Sequence, residues 1–191
     1  YKVAGTESIK DDNTAVFRNV IVTTNQTTFS GLGGSTSGYT SGGASPPSTR
    51  VTTIDKFPFS SDANATDVGD ITQARSIYGS GQSSSDNGYS SGGYSTLNTN
   101  TIDKFPFSAD ANATDVGDLT IARNGCAGQS STENGYASGG SPGGNVIDKF
   151  PFAADANAAD AGDLSSSRES YAGAGQSSST HGYTSGGSPN S

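Results

Sequence analysis

A hexapeptide written three times limits what this chain can fold into. Ile54 to Phe59, Ile102 to Phe107 and Ile147 to Phe152 all read Ile-Asp-Lys-Phe-Pro-Phe. Behind them come SSDANATDVGDIT, SADANATDVGDLT and AADANAADAGDLS, each leading to an arginine: Arg75, Arg123 or Arg168. Ahead of each hexapeptide lies Gly-Tyr-x-Ser-Gly-Gly, at Gly38 to Gly43, Gly88 to Gly93 and Gly135 to Gly140. A fourth such segment, Gly182 to Gly187, has no hexapeptide after it. The hexapeptide aspartates Asp55, Asp103 and Asp148 are 48 and then 45 residues apart. A period of that length belongs to a supersecondary unit that buries its apolar face only against a neighbouring copy.

Composition narrows the kind of unit. Only 30% of the 191 residues are hydrophobic and 27 are Gly, which is too little apolar area for a helical or α/β core. Partial disorder and an all-β repeat both fit that composition, and Phe-Pro-Phe kept in register favours the repeat. Alternation along the second hexapeptide puts Asp103, Phe105 and Phe107 on one side and Ile102, Lys104 and Pro106 on the other. The proline has no N–H to donate, so the strand is expected to end there or lie at an edge. The Gly-Gly pair permits positive φ or a close backbone approach. Each unit offers about four short extended segments, the content of one four-stranded antiparallel sheet. The units are residues 31–72, 73–120, 121–165 and a partial 166–191. Residues 1–30 stand outside the repeat. There Ala15 to Thr24 is β-prone and reads as part of a hairpin or strand pair, a module for attachment.

Charge and motif content exclude several functions. A net charge of −8 leaves no basic patch, so no nucleic-acid partner is expected. No apolar run is long enough for membrane insertion, and no signal-peptide pattern is present. The start at Tyr1 and the absence of Met read as a processed or partial product. Cys126 stands alone and reads as a small buried residue. There is no Cys/His cluster, phosphate loop or dinucleotide fingerprint. The Gly-Gln-Ser-Ser serines have no His/Asp set for a triad, and His181 has Ser37, Asn87 and Asn134 at its equivalent positions. Most carboxylates recur with the repeat, as scaffold does, instead of forming one isolated pair. The expectation is a protein without enzymatic activity.

Three kinds of side chain remain as candidates. Asp62, Asn64 and Asp67 recur as Asp110, Asn112 and Asp115, and again as Asp155, Asn157 and Asp160. Oxygen ligands spaced in this way fit a calcium loop, although the EF-hand order fails at Thr66, Asp67 and Gln73. The competing reading is an Asx-turn between strands, and on it no metal or other cofactor is expected. Arg75, Arg123 and Arg168 read as partners of a loop Asp or of carbonyls between units, or else as a site for an anionic glycan. Tyr39, Tyr89, Tyr136 and Tyr183 read as packing within the repeat, or else as a sugar-stacking row.

The ordered set of motifs resembles the kelch repeat of β-propellers. In that repeat a Tyr precedes Gly-Gly by three residues, a loop leads to a hydrophobic-acidic-basic-aromatic strand, and a last strand leads to an arginine. Here Tyr136 precedes Gly139-Gly140, Ile147-Asp148-Lys149-Phe150 follows, and Gly162-Asp163-Leu164 leads to Arg168. The resemblance covers about residues 31–187. The kelch tryptophan is missing, since the chain has no Trp, so thin and lightly packed blades are expected. The implied fold is all-β, with tandem kelch-like four-stranded antiparallel blades. About three and a half blades would form an incomplete or four-bladed propeller-like array, with an N-terminal β segment.

The wording of the repeats also resembles kelch-like proteins of aquatic bacteriophages, particularly those of cyanobacteria. Val3, Gly5, Thr6, Ile9, Asp11, Asn13, Val16, Asn19 and Val20 are similar to segments recurring in phage structural proteins and tail fibres. What this implies is a virion structural protein on the particle surface: a tail fibre, head fibre or capsid decoration component. Its partners would be other virion proteins or further copies of itself, with host surface glycans as a further contact. The alternative is a carbohydrate- or receptor-binding propeller module of a bacterial cell surface or secreted protein. Its recognition loops would be the variable linkers Ala44 to Thr53, Tyr94 to Thr101 and Ser141 to Val146. The unpaired strand of the partial unit is an exposed edge, expected to be covered by Ala15 to Thr24 of the same or a neighbouring chain.

Overall fold

A computed structural model describes residues 36–45, 49–76, 80–168 and 174–188. The N-terminal β segment expected over 1–30, with its strand at Ala15 to Thr24, lies outside the described residues. Among the described residues the chain is all-β, without a helix. In chain order the strands are β1 (Ser37–Ser41), β2 (Ala44–Ser45), β3 (Thr49–Arg50), β4 (Thr53–Pro58) and β5 (Thr66–Asp70). Next come β6 (Gly81–Ser83), β7 (Asn87–Ser91), β8 (Thr101–Pro106) and β9 (Thr114–Asp118). Then follow β10 (Ala127–Ser130), β11 (Asn134–Ser138), β12 (Val146–Pro151), β13 (Ala159–Asp163), β14 (Ala174–Ser177) and β15 (Gly182–Ser185).

The strands form small antiparallel sheets, one after another. Their orders are β1-β4-β5, β6-β7-β8-β9, β10-β11-β12-β13 and β14-β15, with β2-β3 as a separate ribbon. The register repeats with the sequence. Tyr39 lies opposite Lys56, Tyr89 opposite Lys104 and Tyr136 opposite Lys149. A register shift after the isoleucine recurs at Ile54/Asp55, Ile102/Asp103 and Ile147/Asp148. Each hexapeptide strand ends at its proline, as a residue without an N–H requires.

The core lies between consecutive sheets. One cluster joins Ile54 and Ile71 to Phe105 and Ala113, with Tyr39, Val68 and Phe107 packed against it. The next joins Tyr89, Ile102 and Leu119 to Cys126, Ala137 and Phe150, with Val116, Phe152 and Ala158 at its rim. The alternation of the hexapeptide therefore has a directional meaning. Phe105 packs towards the preceding sheet and Ile102 towards the following one, so the second sheet is covered on both faces.

Glycine sets how closely the units approach. Gly92 and Gly93 have φ of 65° and 116°. A Cβ on them would lie 2.6 Å from the Arg123 carbonyl oxygen and 2.8 Å from that of Ser76. Along the first strand of each unit, a Cβ on Gly128 would overlap the backbone of Gly81, and one on Gly175 would overlap that of Gly128. The strands β6, β10 and β14 thus touch backbone to backbone, which only Gly at those positions allows.

Candidate functional site

The chemistry-bearing residues of the repeat converge on the seams between units. Where one sheet's last strand passes into the next unit, the chain turns its arginine inward. Arg75 is fully buried, with Nη1 2.9 Å from Asp103 Oδ2. Its Nε donates to the Gly92 carbonyl at 2.9 Å and its Nη2 to that of Ser90 at 3.2 Å. Asp103, also fully buried, accepts from the Thr72 hydroxyl at 2.6 Å and the Thr72 N–H at 3.1 Å. The next seam repeats this with Arg123 and Asp148 at 3.1 Å, and with Thr120 donating at 2.6 and 3.0 Å. There the Arg123 Nε donates to the Cys126 sulfur at 3.3 Å, and burial pushes that thiol's pKa up. A buried ion pair is tolerated only when its remaining donors and acceptors are met, and these sites meet most of them. The arginine's carboxylate is the one on the hexapeptide strand. Of the two partners expected for the arginine, backbone carbonyls are present, at Gly92, Ser90 and Ala137, and only the loop aspartate is corrected: Asp110 and Asp155 are exposed, whereas Asp103 and Asp148 sit in the seam.

The acidic loops form an outer latch between the same units. Lys56 reaches Asp110 at 3.1 Å and Lys104 reaches Asp155 at 2.5 Å. The hydrogen bond to Asp110 holds the Lys56 pKa above its usual value. Asn112 accepts from the Asp70 N–H and Asn157 from the Asp118 N–H, both at 3.0 Å. Ala113 and Ala158 return N–H bonds of 2.8 Å to the Asp70 and Asp118 carbonyls. Asp67, Asp115 and Asp160 accept from the N–H two residues ahead, at Gly69, Gly117 and Gly162, which is the Asx-turn geometry. Of the nine loop residues with calcium-ligand spacing, these seven hold backbone or lysine partners. Asp62 and Asn64 lie exposed on the first loop. Among the described residues no three His, Cys, Asp or Glu side chains are grouped as a metal ion would need.

The tyrosines fall into two groups. Tyr39 stacks on Phe107 and Tyr89 on Phe152, each with centroids 4.8 Å apart. Burial raises the Tyr89 pKa. Tyr136 is half-buried and Tyr183 is 55% exposed, so the packing reading applies to the first two and not to the last. His181 is exposed, with Nδ1 2.8 Å from the Thr180 hydroxyl.

Two features went unread in the sequence. The glutamine of Gly-Gln-Ser-Ser bridges units: Gln82 donates to the Tyr136 carbonyl at 2.8 Å and Gln129 to that of Tyr183 at 3.1 Å. Its recurrence at Gln82, Gln129 and Gln176 was the available signal. The variable linkers also touch one another. The Arg50 guanidinium lies 4.8 Å from the Tyr94 ring centre, and Asn98 donates to the Ser141 carbonyl at 3.1 Å. Leu97 stands 75% exposed on this strip. No protein-family model matches the chain, and no curated protein matches it.

Proposed function

We propose that the chain is a non-enzymatic structural protein of a phage particle, built from kelch-like units and displayed on the virion surface as fibre or decoration. One observation carries the reading. The side chains that recur with the period engage each other across seams: arginine with strand aspartate, lysine with loop aspartate, tyrosine with Phe-Pro-Phe. Residues held in this way build a stiff element and leave those carboxylates and arginines without a free face for substrate. The phage assignment is supported by the resemblance of the repeat wording and of the N-terminal pattern to phage proteins. The test is to band particles from the producing culture and search them by mass spectrometry for the tryptic peptide Phe105 to Arg123. Enrichment with the major capsid protein is expected, and its absence from the banded particles would overturn the assignment.

The linker strip favours a second reading, a glycan- or receptor-binding module. The exposed Leu97 and the half-buried Arg50, Tyr94 and Asn98 bring mixed polar and apolar groups onto the variable linkers, the kind of segment where recognition residues concentrate. Saturable binding on a glycan array, lost on Leu97→Asp and Tyr94→Ala, would support it.

A further inference from the structure

A cavity of about 470 Å³ opens between the second and third units. It lies where the turn from β6 enters β7, away from the linker that leaves the other end of that strand. Its two walls are turns, residues 84–87 and 132–134. Each turn is closed by a serine: the Ser84 N–H donates to the Asn87 carbonyl at 2.9 Å and the Ser131 N–H to that of Asn134 at 2.8 Å. The Ser83 N–H donates to the Ser130 hydroxyl at 2.9 Å and clips the two turns side by side. Pro151 and Phe152 supply an apolar floor, tied to the second wall by the Phe152 N–H, which donates to the Glu133 carbonyl at 2.8 Å. Small-molecule sites span roughly 300–1,000 Å³, so the size fits a ligand.

The chemistry of these walls does not come from the repeat. Each wall carries a carboxylate followed by an amide, Asp86-Asn87 and Glu133-Asn134, where the first unit has Thr36-Ser37 and the fourth Thr180-His181. Asp86 and Glu133 are exposed, and neither forms an ion pair among the described residues. Behind the walls, the Tyr89 hydroxyl is buried without a hydrogen-bond partner, on a side chain only 3% exposed. Its ring stacks on Phe152, and its oxygen lies near Ser84 and in the field of Asp86, so three cavity residues surround it. Ser84 approaches but does not satisfy it. That serine's hydroxyl serves its own turn, accepting from the Asp86 and Asn87 N–H groups at 3.3 and 3.0 Å. A buried hydroxyl without a partner costs free energy, which a polar ligand reaching it recovers.

We propose that this cavity binds an uncharged pyranose, one residue of a neutral saccharide. A pyranose has an apolar C–H face and a rim of hydroxyls that both donate and accept. The face lies on Pro151 and the open part of the half-buried Phe152 ring. Asp86 and Glu133 accept from the rim, Asn87 and Asn134 both donate and accept, and the Tyr89 hydroxyl gains its missing partner. Two carboxylates without a counter-cation repel an anionic sugar. A simple cation would leave the apolar floor and the amide donors unused. The site is separate from the linker strip and does not depend on the particle assignment.

Saturation-transfer NMR on the full chain tests this, with methyl α-glucoside, methyl α-mannoside and methyl β-galactoside as probes and N-acetylneuraminic acid and putrescine as charged controls. At least one methyl pyranoside should bind saturably, and neither control should compete with it. Asp86→Ala and Glu133→Ala should each weaken that binding by about tenfold or more, as loss of a hydrogen bond to a charged group does. Tyr89→Phe should weaken it several-fold and leave the free chain at least as stable, because the hydroxyl it removes has no partner there. Leu97→Asp, on the linker strip, should leave it unchanged. Circular dichroism checks that each variant is folded. If either alanine variant is not, Asp86→Asn and Glu133→Gln keep the side-chain shape and carry the same test. No binding of any methyl pyranoside, binding indifferent to the wall variants and to Tyr89→Phe, or uptake of putrescine alone would each overturn the proposal. So would loss of binding on Leu97→Asp, which would place the sugar on the linker strip.

Discussion

The same six residues meet two environments in this molecule. In the second unit Ile102 and Asp103 are fully buried and Lys104 is latched to Asp155. In the third unit Ile147 is half-buried and Lys149 stands exposed, while in the first unit the Asp55 carboxylate has no arginine among the described residues. Identical sequence gives different energetics because the repeat supplies only half of each seam. Stability in such an array is a property of neighbours more than of units.

The sharpest way to break the comparison is at the aspartate. Asp103→Ala leaves Arg75 buried without its counter-charge and removes both bonds from Thr72. Deleting one member of a buried pair costs about 3–5 kcal/mol. Asp55→Ala, at a half-buried carboxylate without a partner among the described residues, should stay within about 0.5 kcal/mol. Urea titration followed by circular dichroism measures both. Equal losses at the two positions would mean that the aspartate acts within its own sheet and not across the seam.

That pairing also marks what the sequence could and could not tell. The strands, their end at proline and the two-faced alternation were legible, because each rests on local geometry in a segment written three times. The partner of the arginine was not. Asp103 and Asp110 both recur with the period, and only burial, with Asp103 in the seam and Asp110 on the rim, decides between them. Equivalence among the four tyrosines was misleading for the same reason. Tyr89 and Tyr183 share a motif, yet one is 3% and the other 55% exposed, because each tyrosine packs on the Phe-Pro-Phe of the next unit, and among the described residues only Tyr39 and Tyr89 have one. The glutamine bridge was hidden by chemistry: Gln in a Gly/Ser stretch reads as turn until a neighbouring carbonyl is placed against it.

A smaller effect comes from the isoleucine. Ile102→Val removes one methylene from a closed seam against Phe150 and should cost about 0.5–1.5 kcal/mol. Ile147→Val removes the same group from a half-open face and should cost less at low protein concentration. Equal losses at the two positions would mean that the isoleucine is held within its own sheet and not by the facing unit.

The smallest effect belongs to the outer latch. Lys104 and Asp155 lie 2.5 Å apart, but their side chains are 26% and 60% exposed, so water and salt screen the attraction. A double-mutant cycle of Lys104→Ala and Asp155→Ala should give a coupling of about 0.2–1 kcal/mol, fading as salt rises. Lys149→Ala should show no such salt-dependent loss in the monomer, since its latch aspartate is absent from the described residues of its own chain. The difference in size from the Asp103 result carries the point. The latch sets which unit faces which and in what register, while the buried arginine clamp and the aromatic seam hold them together. A coupling as large as the clamp's, or one indifferent to salt, would mean that the outer loops carry the stack and that the seams are secondary.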